Sequence, residues 1–420
     1  MPVRHNDGQA IILVVMIIAI LYVLTASLGS LTGHSYKNII SEQQFVQALY
    51  AADAGIENTI ARVLNDSAWY AGLTTVFTTV FNQEELTSGV LYTAKIKKVS
   101  NSKQLFGTAA MIEAVGQCAS DGKIKAQKTL QANIAVYTAG DFFKGWTILP
   151  QENGGVAVTG SALINSPVIC RGDLTLGGSL TVAAGNPVYT GGKLTLMDNA
   201  ACEAGNVYEN YPYIPSYPDI NTDYYQNLAG KSGAEHLFTS GVSNPNFTFP
   251  NSHIDTKQVL ISGSVGAEAT VYMYSDCYYV DGDLSISGPY QGKAVIFAAG
   301  DINIDGDLIS VNDNYEEAVE AGNLTLVALG DIVAEDSKVH ANLMARGLFK
   351  TQGAVTLQGA VCASGVDVGQ GHFELIFNNI DVDQTAIPVS LKVLNWKELY
   401  PVIAGAIDTV VMCNDEKFSG

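Results

Sequence analysis

Gly300-Asp301-Ile302-Asn303-Ile304 is one statement of a theme that runs through the distal two thirds of this 420-residue chain. A glycine or Gly-Asp pair comes first, and an aliphatic–polar–aliphatic triplet follows. The triplet recurs at Leu174-Thr175-Leu176, Leu180-Thr181-Val182, Leu194-Thr195-Leu196, Leu284-Ser285-Ile286, Leu324-Thr325-Leu326 and Val355-Thr356-Leu357. From 174 to 194, 284 to 302 and 302 to 324 the steps are 20, 18 and 22 residues. That period suits one coil of a solenoid built from short strands and tight turns. Two inward aliphatics per strand stack on those of the next coil, and glycine permits the positive φ of a corner. Residues 154–380 therefore read as an irregular parallel β-helix, with a β-sandwich as the other fold that short strands and Gly turns would serve.

The rest of the distal region, residues 141–420, breaks this theme in two places. Residues 207–228 hold Tyr208, Tyr211, Tyr213, Tyr217, Tyr224 and Tyr225 with Pro212, Pro215 and Pro218 among them. Prolines at that density forbid a central strand or a helix interior. The segment is an excursion from the solenoid. It serves either as an interaction loop, because Tyr supplies rigid amphipathic contact area, or as a flap folded over a solenoid face. After Ile380 the repeat is lost again.

Upstream, residues 9–36 contain no Asp, Glu, Lys or Arg, and residues 10–28 include twelve Ile, Leu or Val. A helix needs about 20 such residues to cross a bilayer. At roughly −0.3 to −0.6 kcal/mol each, those twelve favour insertion by about 4–7 kcal/mol. The run is longer than the apolar core of a cleavable secretory signal, although Ser27 and Gly29 form a weak small-x-small site. Arg4 on the near side, offset by Asp7, orients the remainder away from the cytoplasm. Beyond the run, Val46, Leu49, Ile56, Ile60, Val63 and Leu64 keep helical spacing, so one helix spans 9–66, with Gly29 and Gly33 as candidate flexible points. In residues 67–140, three stretches at 91–99, 111–118 and 123–136 alternate as half-buried strands. Asp121-Gly122 forms the hairpin turn between the last two.

Two motifs in the first 65 residues resemble PilX-type, minor-pilin-like proteins of type IV pilus assembly. Gly8-Gln9 ahead of the apolar run resembles a class III signal, in which a prepilin peptidase cuts after Gly and leaves residues 1–8 as a leader. Ala52-Asp53-Ala54-Gly55-Ile56-Glu57 resembles the family's Ala-Glu-Ala-Gly-Ile-Glu stretch, with Asp53 for the first Glu. The resemblance implies a small β-meander up to Val136, other pilin or pilus-assembly subunits as partners through the helix, and a pilus-associated place at the cell surface. Leu13 departs from the major pilins, which carry Glu at that position, and this bears on packing into a pilus shaft. Asn395-Trp396-Lys397-Glu398 resembles a Trp-Lys/Arg-Glu ending of some relatives with β-helical tails.

Charge and site chemistry narrow the function further. Of 22 Lys/Arg and 41 Asp/Glu, residues 141–420 carry 12 and 32, a balance of −20. Such a surface repels nucleic acid and anionic headgroups and excludes both as ligands of that region. Parallel β-helices host polysaccharide lyases and hydrolases, and Asp281, Asp283, Asp301, Asp305 and Asp307 do cluster in sequence. Most follow Gly, where turn chemistry also puts Asp. Only two arginines, Arg171 and Arg346, lie in the region to neutralise an acidic substrate. His236, His253, His340 and His372 have no ligand spacing. Cys118, Cys170, Cys202, Cys277, Cys362 and Cys413 form no CxxC pair, and no nonapeptide calcium pattern is present. The expectation is a membrane-anchored, single-pass, non-enzymatic protein with no cofactor or metal, displaying an extracytoplasmic β-helix for assembly or adhesion. An anchored carbohydrate-active enzyme and a surface structural polymer are the alternatives.

Overall fold

A computed structural model describes residues 7–99, 106–120, 122–151, 154–203, 205–232, 237–238, 271–310, 323–377 and 387–399. Arg4, Asp121, His236, His253 and Cys413 fall outside these residues. The fold is mainly β, with one long N-terminal helix followed by a parallel β-solenoid of about nine turns.

Helix α1 (Asp7–Asn65) has 59 residues, about 88 Å at 1.5 Å per residue. It passes through Gly29 and Gly33 without a break. A Cβ at either would meet nothing within 4 Å, so both lie on open helix surface rather than at a hinge. From Val14 to Ile39 its first half is exposed: Val14, Ile18, Leu21, Val23, Leu28 and Leu31 all lie open. An 18-residue window of this half has mean hydropathy 2.4 and none of it is buried. The polar side chains of this half bond within the helix. Thr25, Ser27 and Thr32 donate to the carbonyls of Leu21, Val23 and Leu28 at 2.6, 2.8 and 2.6 Å, so these hydroxyls are satisfied within the helix.

The second half of α1 packs on an antiparallel sheet of β1 (Thr78–Thr87), β2 (Val90–Val99), β3 (Thr108–Ser120) and β4 (Lys123–Tyr137). The expected three strands are there, and β1 adds a fourth at the edge, which exposed polar residues hide from period-two reading. Strands β2 and β3 alternate buried and half-buried, as strands with one covered face must. Rungs such as Ala94–Ala114–Leu130 and Ile96–Ile112–Ala132 face the helix. A fifth strand, Ser390–Leu399, closes the far edge antiparallel to β4. Asn133 Nδ2 donates to Asn395 Oδ1 at 2.8 Å, and Lys128 Nζ pairs with Glu398 at 2.5 Å. This corrects the assignment of all of 141–420 to the distal domain: the solenoid is inserted between two neighbouring strands of the head.

The solenoid has three faces, and its coils do not stack in chain order. On the first face the register runs Leu237–Tyr279–Phe297–Val327–Met344–Cys362–Thr147–Ile169–Tyr189–Tyr208. The chain thus enters mid-stack at Trp146–Ile148, winds to one end at Val207–Tyr208, and crosses to the other end. It then winds back until Val361–Ile376 meets the first coil. At this seam Cys362 lies opposite Thr147 and Phe373 opposite Ala162. The expected β-helix is present; the seam was not expected, because a repeat fixes the coil and not the order of coils. Inside, the triplet aliphatics Leu174, Leu176, Leu284, Ile286, Ile302, Ile304, Leu324 and Leu326 form one buried core.

Candidate functional site

The anchor is the first candidate. Gly8 and Gln9 lie in the first turn of α1. Forty residues on, Ala52, Gly55 and Ile56 are buried, Asp53 and Ala54 are half-buried, and Glu57 is exposed. The small residues have a packing role. A Cβ at Gly55 would meet Tyr92 Cδ2 at 3.0 Å and Ala114 Cβ at 3.1 Å. Opposite, a Cβ at Gly116 of β3 would collide with the Ala48 carbonyl and the Ala52 amide. The helix therefore rests directly on the sheet, and its motif is the contact surface. Glu57 is exposed to solvent, and Asp53 lies half-buried at the margin of that contact.

The clustered acids are the second candidate, and the fold disperses them along corners. Asp283 Oδ1 accepts the backbone N–H of Asp301 at 2.9 Å. Asp301 Oδ1 accepts that of Asp331 at 2.7 Å, and Asp331 Oδ1 that of Leu348 at 2.7 Å. Asp173 holds Lys193 N–H at 2.8 Å in the same corner. In the next corner Asp307 holds Lys338 N–H and Asp336 holds Ala354 N–H, both at 2.8 Å. The glycine of each repeat completes the device. A Cβ at Gly300, Gly330, Gly347 or Gly192 would strike the carboxylate of the preceding coil. Gly-Asp is thus a coil-to-coil staple: Asp reaches forward to an amide, and the next Gly leaves room for it. Asp331 also pairs with Lys350 Nζ at 2.6 Å through its other oxygen. Burial pushes its carboxyl up, but the hydrogen bonds from Lys350 and Leu348, with the lysine's charge, outweigh this and hold it below the usual range. Asp281 and Asp305 sit in corner and strand positions outside this ladder.

The tyrosine excursion is the third. The helix Thr222–Ser232 begins where Asn221 Oδ1 accepts Tyr224 N–H at 2.8 Å. It lays Tyr225, fully buried, against Phe297 with ring centroids 4.3 Å apart. Ile214, Ile220 and Ala229 join the same cluster, which also takes in Phe106, Tyr137 and Phe142 beside the head. Tyr211, Tyr213, Tyr217 and Tyr224 are half-buried. The segment covers the first solenoid face, whose outward residues are mostly apolar, and this corrects the interaction-loop reading for Tyr225, which has no surface to offer. Tyr208, stacked on Tyr189 at 4.8 Å, keeps 42% of its surface open at the solenoid's end.

Among the described cysteines all five are free thiols. Burial raises Cys170 to about 11 and Cys362 further, so both are protonated and inert. Among the described residues no cluster of three His, Cys, Asp or Glu side chains is arranged to hold a metal ion. What the sequence separates and the fold joins is the arginine pair. Arg171, just past the strand Val168–Cys170, and Arg346, within the bent strand Asn342–Gln358, follow the aligned positions Cys170 and Ala345 and so share one corner position. They stand three coils apart, about 14 Å at 4.8 Å per coil, on either side of the seam.

No protein-family model and no curated protein matches this chain. Among solved structures, the competence-associated pilin ComZ from Thermus thermophilus is similar over 85% of this chain and 97% of its own, at 11% identity and a TM-score of 0.33. The ice-binding protein_1 DUF3494 domain of Shewanella frigidimarina covers 55% of this chain and 98% of its own, at 13% identity and 0.23. The ice-binding protein of the Antarctic ascomycete Antarctomyces psychrotrophicus covers 57% and 95%, at 14% and 0.25. At TM-scores this low the likenesses carry no weight for function. The molecule is, by its own architecture, a long, half-exposed apolar helix seated on an antiparallel head that carries an inserted β-solenoid.

Proposed function

We propose that this chain is a minor-pilin-like structural subunit of a type IV pilus or related assembly machine, held in the cytoplasmic membrane by α1 and displaying its solenoid outside. The observation that carries the reading is the division of α1. From Val14 to Ile39 its apolar half lies exposed, and its second half is seated on a sheet through small residues at 48, 51, 52, 55 and 116. A helix so divided hands its free half to lipid before assembly and to other subunit helices after it. The acidic staples favour a non-enzymatic role, because those carboxylates are committed to backbone amides rather than aimed at a common point. The test is localisation. Sheared surface filaments should contain the chain, and an export-dependent reporter fused after Gly420 should be active. A reporter active only in the cytoplasm would overturn the reading.

A second reading, a surface polymer of stacked solenoids, is favoured by the terminal coil. There Leu196, Met197, Val207 and Tyr208 are 42–54% exposed. Glu209 already accepts Leu194 N–H at 2.9 Å, which blunts that strand edge. Loss of a purified assembly on Met197→Glu would support end-to-end stacking; an assembly indifferent to it would remove this reading.

A further inference from the structure

The staple ladder has a vacancy. Register aligns Val156 with Leu174 and Leu174 with Leu194, so Gly155, Asp173 and Lys193 share the position that Asp283, Asp301 and Asp331 share farther along the same corner. At every other step with a carboxylate behind it, the amide of the following coil is held. Gly155 has no side chain, and the Asp173 N–H finds no acceptor among the described residues. The glycine before it shows the same gap. A Cβ at Gly192, Gly300, Gly330 or Gly347 would strike an aspartate oxygen, whereas at Gly172 it meets only the backbone of Gly154 and Gly155. A cleft of about 300 Å³ opens there, lined by Pro150, Gly154, Gly155, Arg171, Gly172 and Asp173 with Gly191 and Gly192.

We propose that this cleft is a binding site for a carboxylate ligand, the size of a single uronate sugar, which supplies from outside the carboxylate that the chain omits at Gly155. The ligand's oxygen takes the place of an aspartate Oδ1 and accepts the Asp173 N–H, in the geometry the ladder repeats at 2.7–2.9 Å. Arg171 lines the same cleft and provides the charge. A guanidinium matches a carboxylate in two parallel hydrogen bonds. The domain is acidic overall, so the Arg171 cation gives an incoming anion local attraction at this corner. Asp173 does not oppose it directly, because its Oδ1 is turned to the next coil, on Lys193 N–H. The cleft's volume stands at the lower end of small-molecule sites, which fits one sugar ring and not a chain of them.

The two ladder residues give a test that does not rest on unfolding. The full chain in detergent micelles is titrated with D-galacturonate, D-galactose and acetate, and binding is followed by ligand-observed NMR. Galacturonate should saturate and galactose should not. Acetate competing with galacturonate would confirm that the carboxylate is the group recognised, and acetate failing to compete while galactose binds would overturn the proposal. Arg171→Gln should weaken binding by about tenfold or more. Gly155→Asp should abolish it by filling the vacancy with an internal carboxylate, while leaving the melting temperature unchanged or raised. No saturation by galacturonate in the millimolar range, or undiminished binding in a Gly155→Asp protein that melts normally, would refute the site.

Discussion

Asp301 Oδ1 accepts the backbone N–H of Asp331 at 2.7 Å, joining residues 30 positions apart that are one coil apart in space. The same aspartate donates its own N–H to Asp283 at 2.9 Å. Each link is a charge-assisted bond to an amide in a corner where no strand partner is available, so the staple fixes the spacing of coils at the turn.

Removing one link should cost the value of such a bond. Asp301→Ala should destabilise the solenoid by about 1–3 kcal/mol, since the Asp331 amide is left without its acceptor. Asp301→Asn keeps an acceptor and should cost less. Chemical denaturation followed by circular dichroism distinguishes them. Equal stability of wild type and the Ala variant would mean that the staple is incidental to the stack.

The seat of α1 makes a sharper demand. Gly116→Ala places a methyl against the Ala48 carbonyl and the Ala52 amide, two backbone groups that cannot turn aside. Overpacking of this kind costs about 1–3 kcal/mol or more. The helix should loosen from the head, seen as new protease cleavage within residues 39–65 while the solenoid stays resistant. Unchanged protection would place the helix–sheet contact elsewhere.

Acid should weaken the Asp331–Lys350 pair. The aspartate's folded pKa lies below its usual value, so its contribution is full above the unfolded value of about 3.9 and is lost as pH falls through the folded one. Lys350 is raised by its hydrogen bond to Asp331, so its share is full below about 10.4 and is lost as pH rises through the raised value. Both side chains are about one third exposed or less, and the pair is worth no more than about 1 kcal/mol, screened by salt. Lys350→Met should flatten the acid limb of the stability profile slightly, and a profile identical to wild type in low salt would show the pair to be without effect.

The repeat and the long apolar helix were legible in the residues, because each is local: a triplet after Gly-Asp defines a coil, and a long uncharged run defines an apolar helix. Ala52 to Glu57 could be read only as a motif, and its packing role came from the sheet beneath it. What escaped was long-range order. Nothing near Trp146 says that its neighbour is Val361, and nothing near Trp396 says that it returns to β4. Edge strand β1 was missed because its exposed residues show no alternation. The staple was half visible: Gly and Asp could be read as turn formers, but only the stack shows that the Asp of one coil fills the space left by the Gly of the next. Arg171 and Arg346 looked unrelated for the same reason.

If α1 stays with the mature protein as the anchor of a pilin-like subunit, the N-terminal residue of the protein recovered from its native membrane will show it. Gly8 is the one glycine before the apolar run, and without a Cβ it offers an extended backbone to a membrane-face peptidase. Processing there predicts Gln9 as the first residue, and Gly8→Leu should block it. A first residue of Ser30 would rule out a pilin-like anchor, because cleavage at Gly29 discards most of the apolar half of the helix and releases the remainder from it.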